Sequence, residues 1–448
     1  MFAAFKMLPI RVAKVRSLMI GLGITVAFTS AGLGIAQEAN PYTKTFADFE
    51  WNENEERVSI PGAIDVGMKV PTTAAIRSFE RRLEEMPDDI LTLSILGQLY
   101  FRHAKEADDL PFYDRAAATL ERAVNLQPDY AAAKLHLAEV YGSQHRFKEA
   151  LQLASEVNDR DPSSPLAWAI VYDCQLELGR YAEAKTSLDA LVAREQSPPI
   201  QARLARYAEL TGDTAQAIAL IDKAIVGLEE LGASQEETKW YLWRKATLLL
   251  GQGEIEQAKQ LYQRVLEIDG ADSAGLTGMA EVQQASGDHV AAMATVQKII
   301  DLYQAPPAMA LMGDLLAETG QGAAAEQWYE KTEAAMRAEM LIAGDAHARE
   351  VALFFADHRR HLDEAVALAT KDLQRRQDIY SYDTLAWCQF QAGEIVPALD
   401  SMRLSLELGT QDAKLYLHAA EILKANGHSD EAQAMLATAR RINPRMGH

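Results

Sequence analysis

Cysteine is almost absent from this chain, which has two cysteines among 448 residues. Motifs of several enzyme classes are also missing: the glycine-rich phosphate loop, the serine nucleophile elbow and the His-Glu-x-x-His zinc helix. The sequence therefore predicts no catalytic centre, no cofactor and no metal site. A glycosidase stays open as an alternative, because that chemistry needs only two carboxylates and no linear motif.

Basic residues are few relative to acidic ones. The chain has 44 Lys and Arg against 64 Asp and Glu, a formal net charge of -20. With no basic stripe to neutralise phosphates, a nucleic-acid partner is disfavoured. A protein or peptide segment that carries Lys or Arg beside apolar residues would suit such a chain better.

Acidic residues are missing from the N-terminus, where Glu38 is the first. The positive charges there lie at Lys6, Arg11, Lys14 and Arg16. An uncharged stretch follows over 17–36 and ends in small residues, a pattern typical of a secretory signal peptide. We therefore predict a signal peptide over 1–36 and a periplasmic or secreted protein, whose net charge would change from -20 to -24 because four basic residues leave. The alternative is an uncleaved anchor in the inner membrane, since this stretch could just span a bilayer.

Helical periodicity is absent from residues 37–70. Phe46, Phe49 and Trp51 are interleaved there with acidic residues, and turn residues follow near Pro61. We interpret this segment as an extended or disordered acidic leader. The alternative is that its aromatic side chains dock on the folded part of the same chain.

The rest of the chain is organised by a six-residue phrase that begins with a turn residue, usually Gly, and ends with Ala. Its final alanines are Ala150, Ala184, Ala217, Ala258, Ala292, Ala325, Ala365, Ala398 and Ala432. Successive alanines are 33 or 34 residues apart, except for two spacings of 41 and 40. A fixed period near 34 with helical flanks predicts a solenoid of helix-turn-helix repeats.

A second small residue lies twelve positions before most of these alanines. The set is Ala138, Ala205, Ala246, Ala280, Gly313, Ala386 and Ala420. Two small residues facing each other allow the helices of a hairpin to approach closely, and Gly closes the first helix in a left-handed conformation. Tyr172 and Leu353 take the small-residue position in two hairpins, which we expect to be splayed or repacked. The two cysteines, Cys174 and Cys388, occupy equivalent core positions six repeats apart, too far apart to form a disulfide.

These features resemble the tetratricopeptide repeat family. The best match combines Leu96-Gly97 and Tyr100 with Ala116, Ala123 and Pro128. The resemblance implies an all-α, right-handed superhelical solenoid of about ten repeats, within 71–448, after one lone helix. Longer repeats near Ala104–Pro111, Leu231–Thr238 and Met340–His347 are expected to have lengthened helices, since seven extra residues are close to two helical turns.

In this family the first helices line a concave surface where ligands bind. Carried over by register, that surface is predicted to include Trp240, Trp243, Asp314, Glu318, Glu350, Phe354, Asp357, Tyr380, Asp383, Trp387 and Phe390. Aromatic residues beside carboxylates are typical of binding surfaces. The alternative is that the aromatic side chains only pack between neighbouring repeats.

The predicted function is therefore an exported scaffold for protein–protein interaction, with no catalytic activity. An alternative is an accessory subunit of a metal-handling or redox complex that uses His347, His358 and His361 of the eighth repeat. The spacing argues against a shared ion, because eleven helical residues separate His347 from His358 by about 16 Å.

Overall fold

The protein is described by a computed structural model over residues 72–107 and 109–445. The predicted signal peptide and acidic leader lie outside the described residues. The described part of the chain falls into two compact units, 72–140 and 141–445. It contains 21 α-helices and no β-strand, so the all-α prediction is confirmed.

The helices follow one another with short connections. The first ten are α1 (Thr72–Glu85), α2 (Ile90–Ala107), α3 (Leu110–Leu126), α4 (Ala131–Ser143), α5 (Phe147–Arg160), α6 (Pro165–Glu177), α7 (Tyr181–Val192), α8 (Pro198–Leu210), α9 (Thr214–Glu230) and α10 (Gln235–Gly251). The others are α11 (Ile255–Ile268), α12 (Ser273–Ala285), α13 (His289–Tyr303), α14 (Pro306–Glu318), α15 (Gly322–Ala343), α16 (Ala348–Asp357), α17 (Leu362–Asp372), α18 (Ile379–Gln391), α19 (Ile395–Ser405), α20 (Ala413–Ala425) and α21 (Ser429–Ile442). We number the repeats along the chain, so that α2/α3 is repeat 1 and α20/α21 is repeat 10.

The N-terminal unit contains α1, the first hairpin and most of α4. Gly97 allows α2 and α3 to approach, because a Cβ at this position would overlap the side chain of Leu120. Tyr100 donates a hydrogen bond to Glu80 over 2.7 Å, and Arg115 pairs with the same carboxylate. The unit is thus closed by one small-residue contact and one polar cluster between its helices.

Small residues meet inside every hairpin from repeat 3 to repeat 10 except where Tyr172 and Leu353 stand. The phrase alanines of this unit are at most 5% exposed, and so are the alanines that face them. Tyr172 is fully buried and donates a hydrogen bond of 2.9 Å to the Arg203 carbonyl of the next repeat. That hairpin is therefore repacked, as the sequence predicts.

The turn glycines adopt the left-handed conformation. Gly179 has φ 68°, and its N–H bonds the Leu176 carbonyl while the Arg180 N–H bonds the Gln175 carbonyl. The same pair of bonds recurs at Gly212. This double closure of a helix C-terminus explains why glycine recurs with the repeat period.

The two long spacings of the phrase correspond to longer second helices. Helix α9 has 17 residues and α15 has 22, and the other second helices of the C-terminal unit have 11 to 15. The prediction of lengthened helices is confirmed in both repeats.

A feature of the C-terminal unit that the repeat period does not predict is contact between early and late repeats. The Gln377 N–H donates to the Glu177 carbonyl over 2.9 Å, and the Ile379 N–H donates to the Tyr181 hydroxyl over 2.8 Å. Thr410 hydrogen-bonds the Leu210 carbonyl. These partners are about 200 residues apart in sequence.

The same contact recurs in register along three repeats. A Cβ on Gly179, Gly212 or Gly253 would meet, respectively, the Gln377 carbonyl, the Gly409 carbonyl or the Asn443 side chain. The turns after α6, α8 and α10 therefore touch the connections after α17, α19 and α21. We call this set of contacts the seam; it closes the C-terminal unit into one superhelical turn.

Apolar side chains fill one part of the seam. Leu176 and Leu210 from the early repeats share a buried cluster with Ile379, Tyr380 and Leu415 from the late repeats. Each of these side chains is at most 9% exposed. Burial of this kind contributes about 25 cal/mol per Å² of apolar surface, so the closed turn has a hydrophobic as well as a hydrogen-bonded basis.

Two turns lack the expected glycine, at His145 and at Arg359, and the second provides a test of the turn geometry. Arg359 is exposed, has φ 52° and makes one side-chain hydrogen bond, to Gln391. A left-handed residue with a Cβ is strained by about 1 kcal/mol or more, so Arg359→Gly should raise the free energy of unfolding by about 1 kcal/mol. Denaturant unfolding followed by circular dichroism measures this.

The matched control is Gly393→Ala, where φ is 85° and nothing lies within 4 Å of an added Cβ. It should lose stability by a similar amount. A loss of stability in Arg359→Gly would contradict the strain argument.

Candidate binding surface on the first helices

The predicted surface residues lie on four first helices of the C-terminal unit: α10, α14, α16 and α18. Phe354, Tyr380 and Asp383 are buried, with exposures of 4%, 9% and 6%. Glu318 and Asp357 are exposed, and the other six predicted residues are half-buried. The surface is thus partly used for packing within the chain, and its role in binding stays a prediction.

Trp387 is the centre of a polar and aromatic cluster on α16, α18 and α20. Its ring stacks on His418, with centroids 4.0 Å apart and planes 7° apart, and its other neighbour is Phe390 at 5.3 Å. The Trp387 indole N–H donates to Asp357 over 2.7 Å, and His418 bonds Asp383 over 2.9 Å. Both carboxylates thus orient the stacked rings.

Asp314 organises a second cluster, which joins α14 to α15 and α16. It accepts a hydrogen bond from the Tyr329 hydroxyl over 2.9 Å and is 2.9 Å from His358 Nε2. Burial opposes charge on the ring, but the bonds to Asp314 and to the Phe354 carbonyl raise the pKa of His358 above its ordinary value of 6.5. The imidazolium and Asp314 therefore form a pair within the surface.

Trp240 and Trp243 both pack partly on the apolar cores between repeats, and their rings lie 6.3 Å apart. Beside them, Glu209 of α8 pairs with Arg206 over 2.8 Å and with Arg244. Burial raises the pKa of Glu209, but the two guanidinium groups more than offset this and hold that pKa below its ordinary value. The Arg206 guanidinium also lies 5.6 Å from the ring of Tyr380. This is a cation–π contact between an early and a late repeat.

Sequence reasoning missed four residues that belong to this surface: Glu209, Glu281, Lys414 and His418. Burial raises the pKa of Glu281 to about 7. The repeat register gives a signal for two of them. Glu281 is 33 residues before Asp314, and Lys414 is 34 residues after Tyr380, so each occupies the position of a predicted surface residue.

The three histidines of the metal-handling alternative are not brought together. His358 is bonded to Asp314 of α14, and His361 pairs with Glu333 of α15 over 2.9 Å. His347 is half-buried at the start of α16. Within residues 72–107 and 109–445, no three His, Cys, Asp or Glu side chains are grouped so that they could hold a metal ion.

Cys174 and Cys388 are both free and buried, and burial raises the pKa of each thiol. Their environment is that of inert core residues. In the same described part of the chain, no helix combines the length and apolarity that crossing a bilayer requires.

The fold defines a class, the all-α solenoids built of helix-turn-helix repeats. Tetratricopeptide repeat models match residues 113–171, 143–207 and 249–310, and a further one matches 306–331. With the hairpin geometry above, these matches identify the chain as a member of the tetratricopeptide repeat family.

Several solved structures are similar in fold. The human IFIT1 dimer with PPP-AAAA has 12% identity and a TM-score of 0.45, covering 83% of this chain and 87% of that one. Yeast Tom70 has 12% identity and a TM-score of 0.33, covering 79% and 92%. PilW, a type IV pilus biogenesis factor, has 18% identity and a TM-score of 0.40, covering 46% and 93%. No curated protein matches the chain, and these similarities identify no partner.

The Asp314–His358 pair gives a pH-dependent prediction. Because the pKa of His358 is raised in the folded protein, the pair stabilises the fold below pH 6.5, and this stabilisation is lost as the pH rises through the folded value. Asp314→Asn should lower the His358 pKa and remove that pH dependence. NMR titration of the imidazole measures the pKa.

The control is Glu318→Gln, a nearby carboxyl whose bonds are to Gln284 and His289 instead. It should leave the His358 pKa unchanged. An unchanged pKa in Asp314→Asn would show that the pair does not form in solution.

Proposed function

We propose that this protein is an exported interaction scaffold whose first helices bind a segment of a partner protein, with Lys or Arg beside apolar residues. Membership of the tetratricopeptide repeat family supports the scaffold function. The choice of groove and the chemistry of the partner rest on the charge of the surface.

The observation that carries the proposal is the charge of the lining positions in repeats 6 to 9. These positions lie six and three residues before, and one, four and five residues after, the small-residue position of each first helix. They hold six carboxylates, namely Glu281, Asp314, Glu318, Glu350, Asp357 and Asp383, and no Lys or Arg. Such a surface attracts cationic segments and repels acidic ones.

Aromatic side chains supply the second part of the recognition chemistry. Trp243 and Trp387 are half-buried, so each is anchored on a core and still presents ring surface. Large rings held in this way dominate binding energies in protein interfaces, and a Lys or Arg stem packs well on them. Carboxylates and rings together favour a segment that is both basic and apolar over a segment that has only one of these properties.

Binding to an array of peptides with Lys or Arg beside Phe or Leu tests the proposal. Trp243→Ala combined with Trp387→Ala should abolish binding, because an interface anchor typically contributes about 2 kcal/mol or more. Replacing Lys or Arg of the peptides by Glu should abolish it in the unmodified protein.

Trp328→Ala is the matched control, since Trp328 is also half-buried but lies on a second helix, α15. It should leave binding intact. Loss of helicity in the double variant would show that these tryptophans are only core residues. Equal binding by double variant and control would refute the groove.

The proposal that the protein is exported rests on residues 1–36 alone. The basic start, the uncharged stretch and the small residues before Gln37 support cleavage after Ala36. N-terminal sequencing of the protein from its native cells should then begin near Gln37. An N-terminus at Met1 would favour the membrane-anchored alternative.

A further inference from the structure

Besides its apolar part, the seam has a polar part that is built from charged residues. Here Glu177, the last residue of α6, meets the connection between α17 and α18 and the start of α16. Arg376 is 2% exposed and pairs with Asp372 over 3.0 Å, and Ser381 donates to the same carboxylate over 2.8 Å. Arg349 is 3.7 Å from Asp378. The late repeats thus pair these arginines with their own carboxylates.

Glu177 is a surplus carboxyl in that arrangement. Its main-chain carbonyl accepts the Gln377 N–H over 2.9 Å, so closing the seam places Glu177 beside Asp378, the residue that follows Gln377. Glu177 is also at the negative end of the α6 dipole, where an anion is disfavoured. Burial and the charge of Asp378 raise the pKa of Glu177 to about 7, although Arg376, Arg349 and Arg206 act in the opposite direction. Ionised Glu177 therefore works against closure.

Unpaired polar atoms add to the instability of the closed seam. His145 Nδ1, Glu350 Oε2 and Arg375 Nη1 are buried and have no hydrogen-bond partner among the described residues. A buried polar atom without a partner costs about 1–3 kcal/mol, which exposure to solvent on opening would relieve. The polar part of the seam is therefore less stable than its apolar part.

Other titratable groups face the same place. Burial and the arginines lower the pKa of His145, and burial lowers that of His347, so both rings favour opening in acid. Arg349 and Arg376 offset burial and hold the pKa of Glu350 below its ordinary value. Tyr181 and Cys174 keep their protons near neutral pH because burial raises both pKa values. Between pH 6.5 and 8.5, Glu177 is then the group whose ionisation acts on the seam.

We propose that the seam is a reversible clasp, which opens the superhelical turn when Glu177 is ionised and closes it when Glu177 is protonated. The sign follows from linkage. A carboxyl that holds its proton more tightly in the closed form stabilises that form fully below pH 4.5, its ordinary value, and loses this effect as the pH rises through about 7. The clasp is independent of any bound partner, so it does not rest on the proposed function.

Hydrogen exchange of the full chain at pH 6.5 and 8.5, corrected for intrinsic rates, tests the clasp. The Gln377 and Ile379 amides report on it directly, because their acceptors, the Glu177 carbonyl and the Tyr181 hydroxyl, lie across the seam. In the unmodified protein both amides should exchange about fourfold faster at pH 8.5, which is the change in closure that a carboxyl with a pKa of about 7 produces between these two pH values. Glu177→Gln, which cannot ionise, should keep them protected at both pH values.

A pair of glycine variants keeps the test independent of folding. Gly179→Ala strains the backbone and also pushes against the Gln377 carbonyl, so exchange should be fast at both pH values. Gly287→Ala strains the backbone equally, at φ 78° against 68°, but meets nothing within 4 Å and should behave like the unmodified protein. Equal exchange in these two variants, or pH-dependent opening in Glu177→Gln, would overturn the clasp.

Discussion

The pairing of two small, buried residues inside most of the hairpins is the constraint on which the rest of this structure depends. Ala246 and Ala258 are both fully buried, and the same is true of Ala280 and Ala292 one repeat later. Because alanine has almost no side chain, the two helices of a hairpin can approach closely, and the next repeat can pack in a similar way. A small rotation per repeat then accumulates until the connections after α17, α19 and α21 reach the turns after α6, α8 and α10.

Closure of the turn places part of the predicted groove against other repeats of the same chain. In an open solenoid the lining positions would face bulk solvent, whereas here Tyr380 lies in a cluster with Leu210 and beside Arg206. Burial raises the pKa of Glu281 to about 7, so the charge of this carboxyl group changes near neutral pH. The predicted surface and the seam thus both contain carboxyl groups with raised pKa values inside one turn.

Most of the fold could be predicted from the sequence because its determinants are local. Glycine at the hairpin turns, alanine near the start of each second helix and the period near 34 are all set within one repeat. The exceptions also behaved locally: Tyr172 repacks against the Arg203 carbonyl, and α15 absorbs an insertion as extra helix. The surface was predictable only as a register of positions. The pairing of Asp314 with His358 and the burial of Phe354 depend on how neighbouring helices cross, and the seam depends on curvature summed over five repeats.

A distance across the seam tests the closed turn most directly. Lys148 and Gln374 are exposed residues that meet there, with the Lys148 ammonium donating to the main-chain carbonyl of Gln374 over 2.9 Å. Spin labels at Lys148→Cys and Gln374→Cys, in a Cys174→Ala and Cys388→Ala background, can be measured by dipolar EPR at pH 6.5. A single short distance is the result that closure predicts. A broad distribution of long distances would show an open solenoid and contradict this account.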